Sequence, residues 1–182
     1  MLEIRIHGRG GQGAVTCTEL VAKAAIAEGK YAQAFPSFGP ERRGAPVMAF
    51  IRVANKPIRV RQKIYKPDVI VVLDDSLLGL SGVIDGLKED GIIIVNSSKS
   101  PEELKNEYKF KQKIATVDAT KIALDTLRVP ITNTTMLGAL IKATNVVSIE
   151  ALKDAIKERF GRLAERNQEA MENAFKETKI ME

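Results

Sequence analysis

The chain has 182 residues, 45% of them hydrophobic and 28% charged, so it is long enough to bury a core and its composition argues against disorder. Its formal net charge is +5, but most lysines and arginines are dispersed, so a nucleic-acid partner is not indicated. The longest apolar runs, about five residues, are far shorter than the roughly 20 that a membrane-spanning helix needs. We expect one cytoplasmic domain covering residues 1–182, with no signal peptide and no membrane association.

The sequence holds a single cysteine, Cys17, and a single histidine, His7. An iron–sulfur or zinc site needs about four such ligands, so this chain alone is expected to hold no metal. We predict that Cys17 is a small buried residue of the first helix and that His7 is structural rather than a general base. No catalytic residue is assigned.

Hydrophobic alternation and helical periodicity predict the elements of the first half of the chain. After the second strand we predict a loop rich in proline and glycine from Pro36 to Pro46. The two strands that follow this loop are expected to form an antiparallel hairpin. In chain order we predict a strand at Leu2–Ile6, a helix from about Gln12 to Glu28, strands at Tyr31–Phe35, Val47–Val53, Ile58–Arg61 and Val69–Leu73, a short helix at Ser76–Lys88, and a strand at Ile92–Val95.

Capping residues mark the helices of the second half. We predict a helix opened by the capping box at Ser100 and ending near Glu107, a strand at Ile114–Val117, and helices capped by Asp118, Asn133 and Ser148, with a last helix whose buried stripe begins at Leu163. Strands alternating with helices predict an α/β fold: a three-layer sandwich with a mixed, mainly parallel sheet and a helical C-terminal segment.

The turn after the first strand carries glycines at Gly8, Gly10 and Gly13, with a fourth at Gly11. The G-x-G-x-x-G spacing before a helix suits the binding of a phosphate at the helix N-terminus, but it equally suits a tight strand-to-helix turn, and both interpretations remain open. A dinucleotide site also needs an acidic residue about 20 positions further on. Because the second strand ends at Phe35 without a carboxylate, NAD and FAD are disfavoured.

Two further groups of charged residues are candidates for function. Asp74 and Asp75 follow a buried strand and could hold a metal, although a helix N-cap is the preferred interpretation. The loop from Pro36 to Pro46 contains Glu41, Arg42 and Arg43. We favour a surface that meets a partner or a cofactor over a solvated loop with an internal ion pair, because arginine binds carboxylates and phosphates through two hydrogen bonds.

Taken together, four motifs resemble the gamma subunits of 2-oxoacid:ferredoxin oxidoreductases of the pyruvate and 2-ketoisovalerate type. They are GRGGQG at Gly8–Gly13, FGPERRGAPV at Phe38–Val47, KPD at Lys66–Asp68 and NTTMLGA at Asn133–Ala139. The resemblance implies a complex with alpha, beta and delta subunits. That complex decarboxylates a 2-oxoacid on thiamine pyrophosphate with Mg²⁺, passes electrons through iron–sulfur clusters to ferredoxin, and transfers the acyl group to coenzyme A.

The resemblance also implies that the thiamine cofactor and the clusters belong to the other chains and that this chain alone is inactive. It would contribute a subunit interface and the coenzyme A side of the site, with these candidate cofactor-binding residues: Gly8, Gly10, Gly11, Gln12, Gly13, Arg42 and Arg43. Two alternatives stay open. One is a stand-alone nucleotide-binding regulator that uses the glycine turn, and the other is an indolepyruvate-type oxidoreductase subunit, from which the Phe38–Val47 motif points away.

Overall fold

The computed structural model describes residues 1–37 and 43–182. Within these ranges, seven strands form one sheet in the order β2-β3-β1-β4-β5-β6-β7. The strands are β1 (Leu2–Arg9), β2 (Tyr31–Pro36), β3 (Pro46–Ala54), β4 (Val69–Val72), β5 (Ile92–Asn96), β6 (Lys113–Val117) and β7 (Lys179–Met181). The α-helices are α1 (Ala14–Ala27), α2 (Pro101–Tyr108), α3 (Ala119–Leu127), α4 (Asn133–Thr144), α5 (Ile149–Phe160) and α6 (Ala164–Glu177).

The sheet is mixed, as the sequence predicted. The pairs β1–β4, β4–β5 and β5–β6 are parallel, whereas β1–β3, β2–β3 and β6–β7 are antiparallel. Since β2 is antiparallel to β3 and β3 is antiparallel to β1, only β3 and β7 run against the other five strands. The short C-terminal strand β7 was not predicted, because three exposed residues carry no periodic signal.

One face of the sheet is covered by α1, α3, α4, α5 and α6, and this side holds the larger apolar core. Strand β1 contributes Ile4 and Ile6 to it. Helices α4 and α6 approach each other closely at Gly138, where a Cβ atom would lie 2.0 Å from the carbonyl oxygen of Met171. Glycine is therefore the residue that lets these two helices pack.

The other face carries α2, a short 3₁₀ helix (Asp75–Gly79) and irregular segments over a smaller apolar cluster. The three-layer arrangement is confirmed, but its two outer layers are unequal. The helix predicted at Ser76–Lys88 is wrong beyond Gly79. Gly82 and Gly86 have φ values of 90° and 75°, and such left-handed glycines interrupt a helix.

The predicted hairpin between Val47–Val53 and Ile58–Arg61 is also wrong. Strand β3 pairs with β1 on one edge and with β2 on the other, so neither edge is open to a further strand. Residues 55–66 instead cross between β3 and β4 without forming a strand. The alternation in this stretch reflects a chain lying on the molecular surface rather than a strand in the sheet.

Most helix boundaries follow the predicted caps. Ser100 forms the capping box with Glu103, and the side chains of Asp118 and Ser148 accept hydrogen bonds from the first turns of α3 and α5. Two predictions fail: Asn133 is the first residue of α4, with Thr132 at the N-cap, and Leu163 is 62% exposed instead of buried. In the described ranges, no helix is long and apolar enough to cross a membrane.

Candidate functional site

The glycine turn, residues 8–13, joins β1 to α1. Gly11 and Gly13 have φ values of 94° and 84°, in the left-handed region that favours glycine. A Cβ atom on Gly13 would also lie 2.5 Å from the side-chain nitrogen of Asn133, at the start of α4. Gly13 is therefore required by both the backbone conformation and the contact between α1 and α4.

The turn is bound to the start of β3. The Gly10 N–H donates to the Ala45 carbonyl at 2.8 Å, and the Gly44 N–H donates to the Gly10 carbonyl at 3.1 Å. Arg43 lies next to this contact and is exposed. Arg43 thus precedes the residues that bond to the glycine turn, whereas Arg42 lies outside the described residues, and the binding role of both arginines stays a prediction.

Gln12 and Arg9 connect the turn to the end of β4. The Gln12 side chain accepts a hydrogen bond from the Arg9 N–H at 2.6 Å and donates to Asp74 Oδ2 at 3.0 Å. The Arg9 guanidinium lies 3.2 Å from Asp74 Oδ2 and donates to Ser76 Oγ at 2.8 Å and to the Gly44 carbonyl at 3.2 Å. Gln12 therefore orders the turn, and its amide is engaged within the chain.

Asp74 is the common partner in this network. It also accepts hydrogen bonds from the Ser76 N–H and hydroxyl, so it caps the 3₁₀ helix, in line with the preferred interpretation of this carboxylate. Burial by itself raises the pKa of Asp74, but the hydrogen bonds from Ser76 and Gln12 and the charge of Arg9 outweigh it and lower the pKa. Asp74 is therefore ionised at neutral pH and neutralised by Arg9.

A polar cavity of about 390 Å³ opens beside the turn, at the carboxyl ends of the parallel strands. Carboxylates from Asp74, Asp75 and Asp118 line it. Like charges repel, so this cavity is a poor place for a phosphate. In residues 1–37 and 43–182, no group of three or more His, Cys, Asp or Glu residues could hold a metal ion.

His7 lies on the opposite face of β1 from the helical core. It is 5% exposed, and its Nε2 accepts a hydrogen bond from Arg5 Nε at 2.9 Å. Burial and the nearby Arg5 charge lower the pKa of His7 to about 3. The imidazole is therefore neutral at physiological pH, and its lone pair is occupied by Arg5, which agrees with the structural role predicted for it.

Cys17 also lies where the sequence predicted, in α1. It is 1% exposed, and its thiol donates to the Asn133 carbonyl with an S···O distance of 3.3 Å. Burial raises the pKa of this thiol to about 12. A thiol that stays protonated is not a nucleophile, so Cys17 serves the packing of α1 on α4.

The sheet order argues against a dinucleotide site at the turn. In dinucleotide-binding folds the second strand lies beside the first, which places its terminal acid near the ribose. Here the antiparallel strand β3 separates β2 from β1. Neither the end of β2, Phe35 and Pro36, nor Ser37 after it carries a carboxylate.

Sequence reasoning identified the glycines but not the role of Arg9. A signal was present, because β1 and β4 were both predicted as strands of a largely parallel sheet. Neighbouring parallel strands end at the same edge, so Arg9 after one strand and Asp74 after the other were candidates for an ion pair. The order of strands, which sequence did not give, was the missing information.

Comparisons with known proteins agree with this architecture. Residues 3–177 match the family described as pyruvate ferredoxin/flavodoxin oxidoreductase. The chain is 59% identical to the pyruvate/ketoisovalerate oxidoreductases common subunit gamma of Pyrococcus abyssi, and 56% identical to the protein of the same name from Pyrococcus furiosus. Both alignments cover 100% of each chain.

A solved structure shows the same fold. The crystal structure of pyruvate oxidoreductase subunit PORC (EC 1.2.7.1) from Thermotoga maritima superimposes with a TM-score of 0.89 at 41% identity, covering 100% of this chain and 98% of that one. The resemblance drawn from the four motifs is thereby confirmed. The chain belongs to the pyruvate ferredoxin/flavodoxin oxidoreductase family, as one of its gamma subunits.

Proposed function

We propose that this gamma subunit works in a complex with alpha, beta and delta subunits. The complex oxidatively decarboxylates pyruvate or 2-ketoisovalerate, forms the acyl-coenzyme A and CO₂, and reduces ferredoxin. The observation that carries the proposal is the 59% identity, over its whole length, to a subunit named as common to pyruvate and ketoisovalerate oxidoreductases. Thiamine pyrophosphate, Mg²⁺ and the iron–sulfur clusters are assigned to the partner chains.

Within that complex, we assign the glycine turn and Arg43 to the coenzyme A side of the site. Two features support this. Arg43 is exposed beside a turn that is fixed by hydrogen bonds to residues 44 and 45, and arginine suits the binding of a phosphate. The Arg9 guanidinium forms an ion pair with Asp74 at 3.2 Å and donates to the Gly44 carbonyl at 3.2 Å, so a carboxylate close to residue 44 is already neutralised within the chain.

Reconstitution tests the role of the subunit. We expect the isolated chain to turn over no 2-oxoacid, and the four-subunit complex to reduce ferredoxin only when a 2-oxoacid and coenzyme A are both present. A preparation lacking this chain should lose that activity and regain it when the chain is added back. Full activity without the chain, or turnover by the chain alone, contradicts the proposal.

Replacing Arg43 with Ala tests the coenzyme A assignment. We expect the KM for coenzyme A of the complex to rise about tenfold with kcat little changed, because a charge-assisted hydrogen bond to a phosphate is worth about 1.4 kcal/mol or more. Arg166→Ala, an exposed arginine on α6, is the matched control. An unchanged KM in the Arg43 variant removes this residue from the site.

A further inference from the structure

The irregular crossing at residues 55–66, which we call the basic strap, carries the whole net charge of the protein. Five cations lie in it, and none of its residues is acidic. The chain has 28 Lys and Arg residues and 23 Asp and Glu residues. The residues outside the strap therefore comprise 23 basic and 23 acidic side chains. The cations of the strap are Lys56, Arg59, Arg61, Lys63 and Lys66.

These five cations are exposed, and they are absent from every ion pair formed among the described residues. Elsewhere in residues 1–37 and 43–182, eight lysines and arginines do have a carboxylate partner within 4 Å. The strap is therefore a concentrated positive surface. Its charge would be complemented by acidic groups on another molecule.

The strap is held in place by buried contacts. The guanidinium of Arg52, which is 1% exposed, donates to the Gln62 carbonyl at 2.7 Å, and it is itself fixed by Glu3 at 2.8 Å and Gln33 at 3.0 Å. Ile64 is 2% exposed. A partner would thus meet cations on an ordered backbone, which reduces the entropy lost on binding.

The other anchor is Gly86. A Cβ atom built on Gly86 would lie 2.0 Å from the carbonyl oxygen of Tyr65, so the segment after β4 contacts the strap backbone directly. The Tyr65 side chain itself points outward and is 67% exposed, and Val60 is 37% exposed. Exposed tyrosine and arginine on a fixed backbone are typical of protein interfaces.

We propose that the basic strap docks onto an acidic surface of a neighbouring subunit in the oxidoreductase complex. This inference rests on the proposed function, since it requires that complex. A protein surface is favoured over a single phosphate group because the cations are distributed along eleven residues, from Lys56 to Lys66, with apolar side chains between them. A phosphate site needs donors that converge on one point, whereas an extended acidic surface can meet all five.

The test neutralises three strap cations in the intact complex. Arg59→Gln, Arg61→Gln and Lys63→Gln are combined, and the control combines Lys121→Gln, Lys157→Gln and Lys176→Gln, which make the same charge change at exposed positions of the helical face. Each form is co-expressed with the alpha, beta and delta subunits. The dissociation constant of the gamma subunit is then measured at several salt concentrations. A third form keeps the charge through Arg59→Lys and Arg61→Lys.

At low salt, we expect the dissociation constant of the strap variant to be about tenfold or more above that of the wild type. The dissociation constant of the variant should also change less with salt concentration, because charge pairs that salt screens have been removed. The control and the lysine form should bind like the wild type. Equal affinity of the strap variant and the wild type overturns the proposal. So does normal assembly with a raised KM for coenzyme A or ferredoxin, because the strap would then bind another molecule. Failure of the wild-type chain to assemble would instead count against the proposed function.

Discussion

Different interactions stabilise the two faces of the sheet, although strand β1 contributes side chains to both. On one side of β1, Ile4 and Ile6 enter an apolar core beneath five helices. On the other side, Arg5 and His7 are buried beneath irregular segments, and Arg5 donates to the carbonyls of Val83 and Asp85 at 2.9 and 2.7 Å. The helical face is held mainly by packing, whereas the irregular face combines a smaller apolar cluster with hydrogen bonds from buried arginines.

This difference assigns most of the packing stability to the helical face and the surface for interaction to the irregular face. Close packing makes the helical face intolerant of added volume. The irregular face is organised by specific polar contacts, and it carries the net charge of the protein in the basic strap.

Gly138→Ala should be the most damaging single change on the helical face. Its added Cβ would lie 2.0 Å from the Met171 carbonyl oxygen and 2.8 Å from the Phe175 nitrogen. Backbone atoms cannot move aside easily, so we expect a loss of about 4 kcal/mol in the free energy of unfolding. Gly79→Ala is the control, since no atom lies within 4 Å of the position of its Cβ. Equal urea midpoints for the two variants would refute the packing argument.

Arg52→Met tests the polar organisation of the irregular face. It removes hydrogen bonds to Glu3, Gln33 and the Gln62 carbonyl, and leaves Glu3 without its buried partner. We expect a loss of about 3 kcal/mol in the free energy of unfolding, with faster hydrogen exchange in the basic strap.

The control for Arg52 is an ion pair on the helical face. Lys23→Met breaks the bond to Glu158, but both side chains are at least half exposed. We expect a change below about 1 kcal/mol. Should the two substitutions have equal cost, the buried arginine would not be what holds the irregular face.

His7 gives the irregular face a pH dependence. Its pKa is lowered to about 3 in the folded protein, whereas an unfolded histidine titrates near 6.5, so the unfolded chain binds the proton first. The free energy of unfolding should fall as the pH drops below about 6.5, by about 1 kcal/mol between pH 7 and 5.5. The free energy of unfolding of His7→Gln, measured by denaturation at both pH values, should lack this decrease of about 1 kcal/mol. An identical slope in the variant would mean that the pKa of His7 is the same in the folded and unfolded chains.

The smallest expected change in the free energy of unfolding concerns two adjacent threonines of α4. Thr134 Oγ1 donates to Asn167 Oδ1 at 2.7 Å, whereas buried Thr135 Oγ1 has no partner among the described residues. We expect Thr134→Val to cost about 1 kcal/mol and Thr135→Val to be neutral or stabilising by about as much. Thermal denaturation of both variants measures the difference, and the reverse order would show that the hydrogen-bond assignment is wrong.

Sequence patterns predicted the helical face far better than the irregular one. Periodicity and caps located α1 and α3 to α6 because amphipathic helices repeat their burial every turn. Residues 76–88 and 58–61 carry similar local patterns, yet left-handed glycines at Gly82 and Gly86 and the occupied edges of β3 override them. Arg9 and Asp74 meet only because β1 and β4 are neighbours, and long-range strand order leaves no local signal.

Hydrogen–deuterium exchange tests most directly the claim that the irregular face is the docking face. Exchange is measured in the isolated chain and again in the four-subunit complex. We predict that the complex slows exchange in the basic strap, residues 55–66, and leaves the exposed side of α3 and α5 unchanged. Slower exchange on α3 and α5 with an unchanged strap would contradict the account.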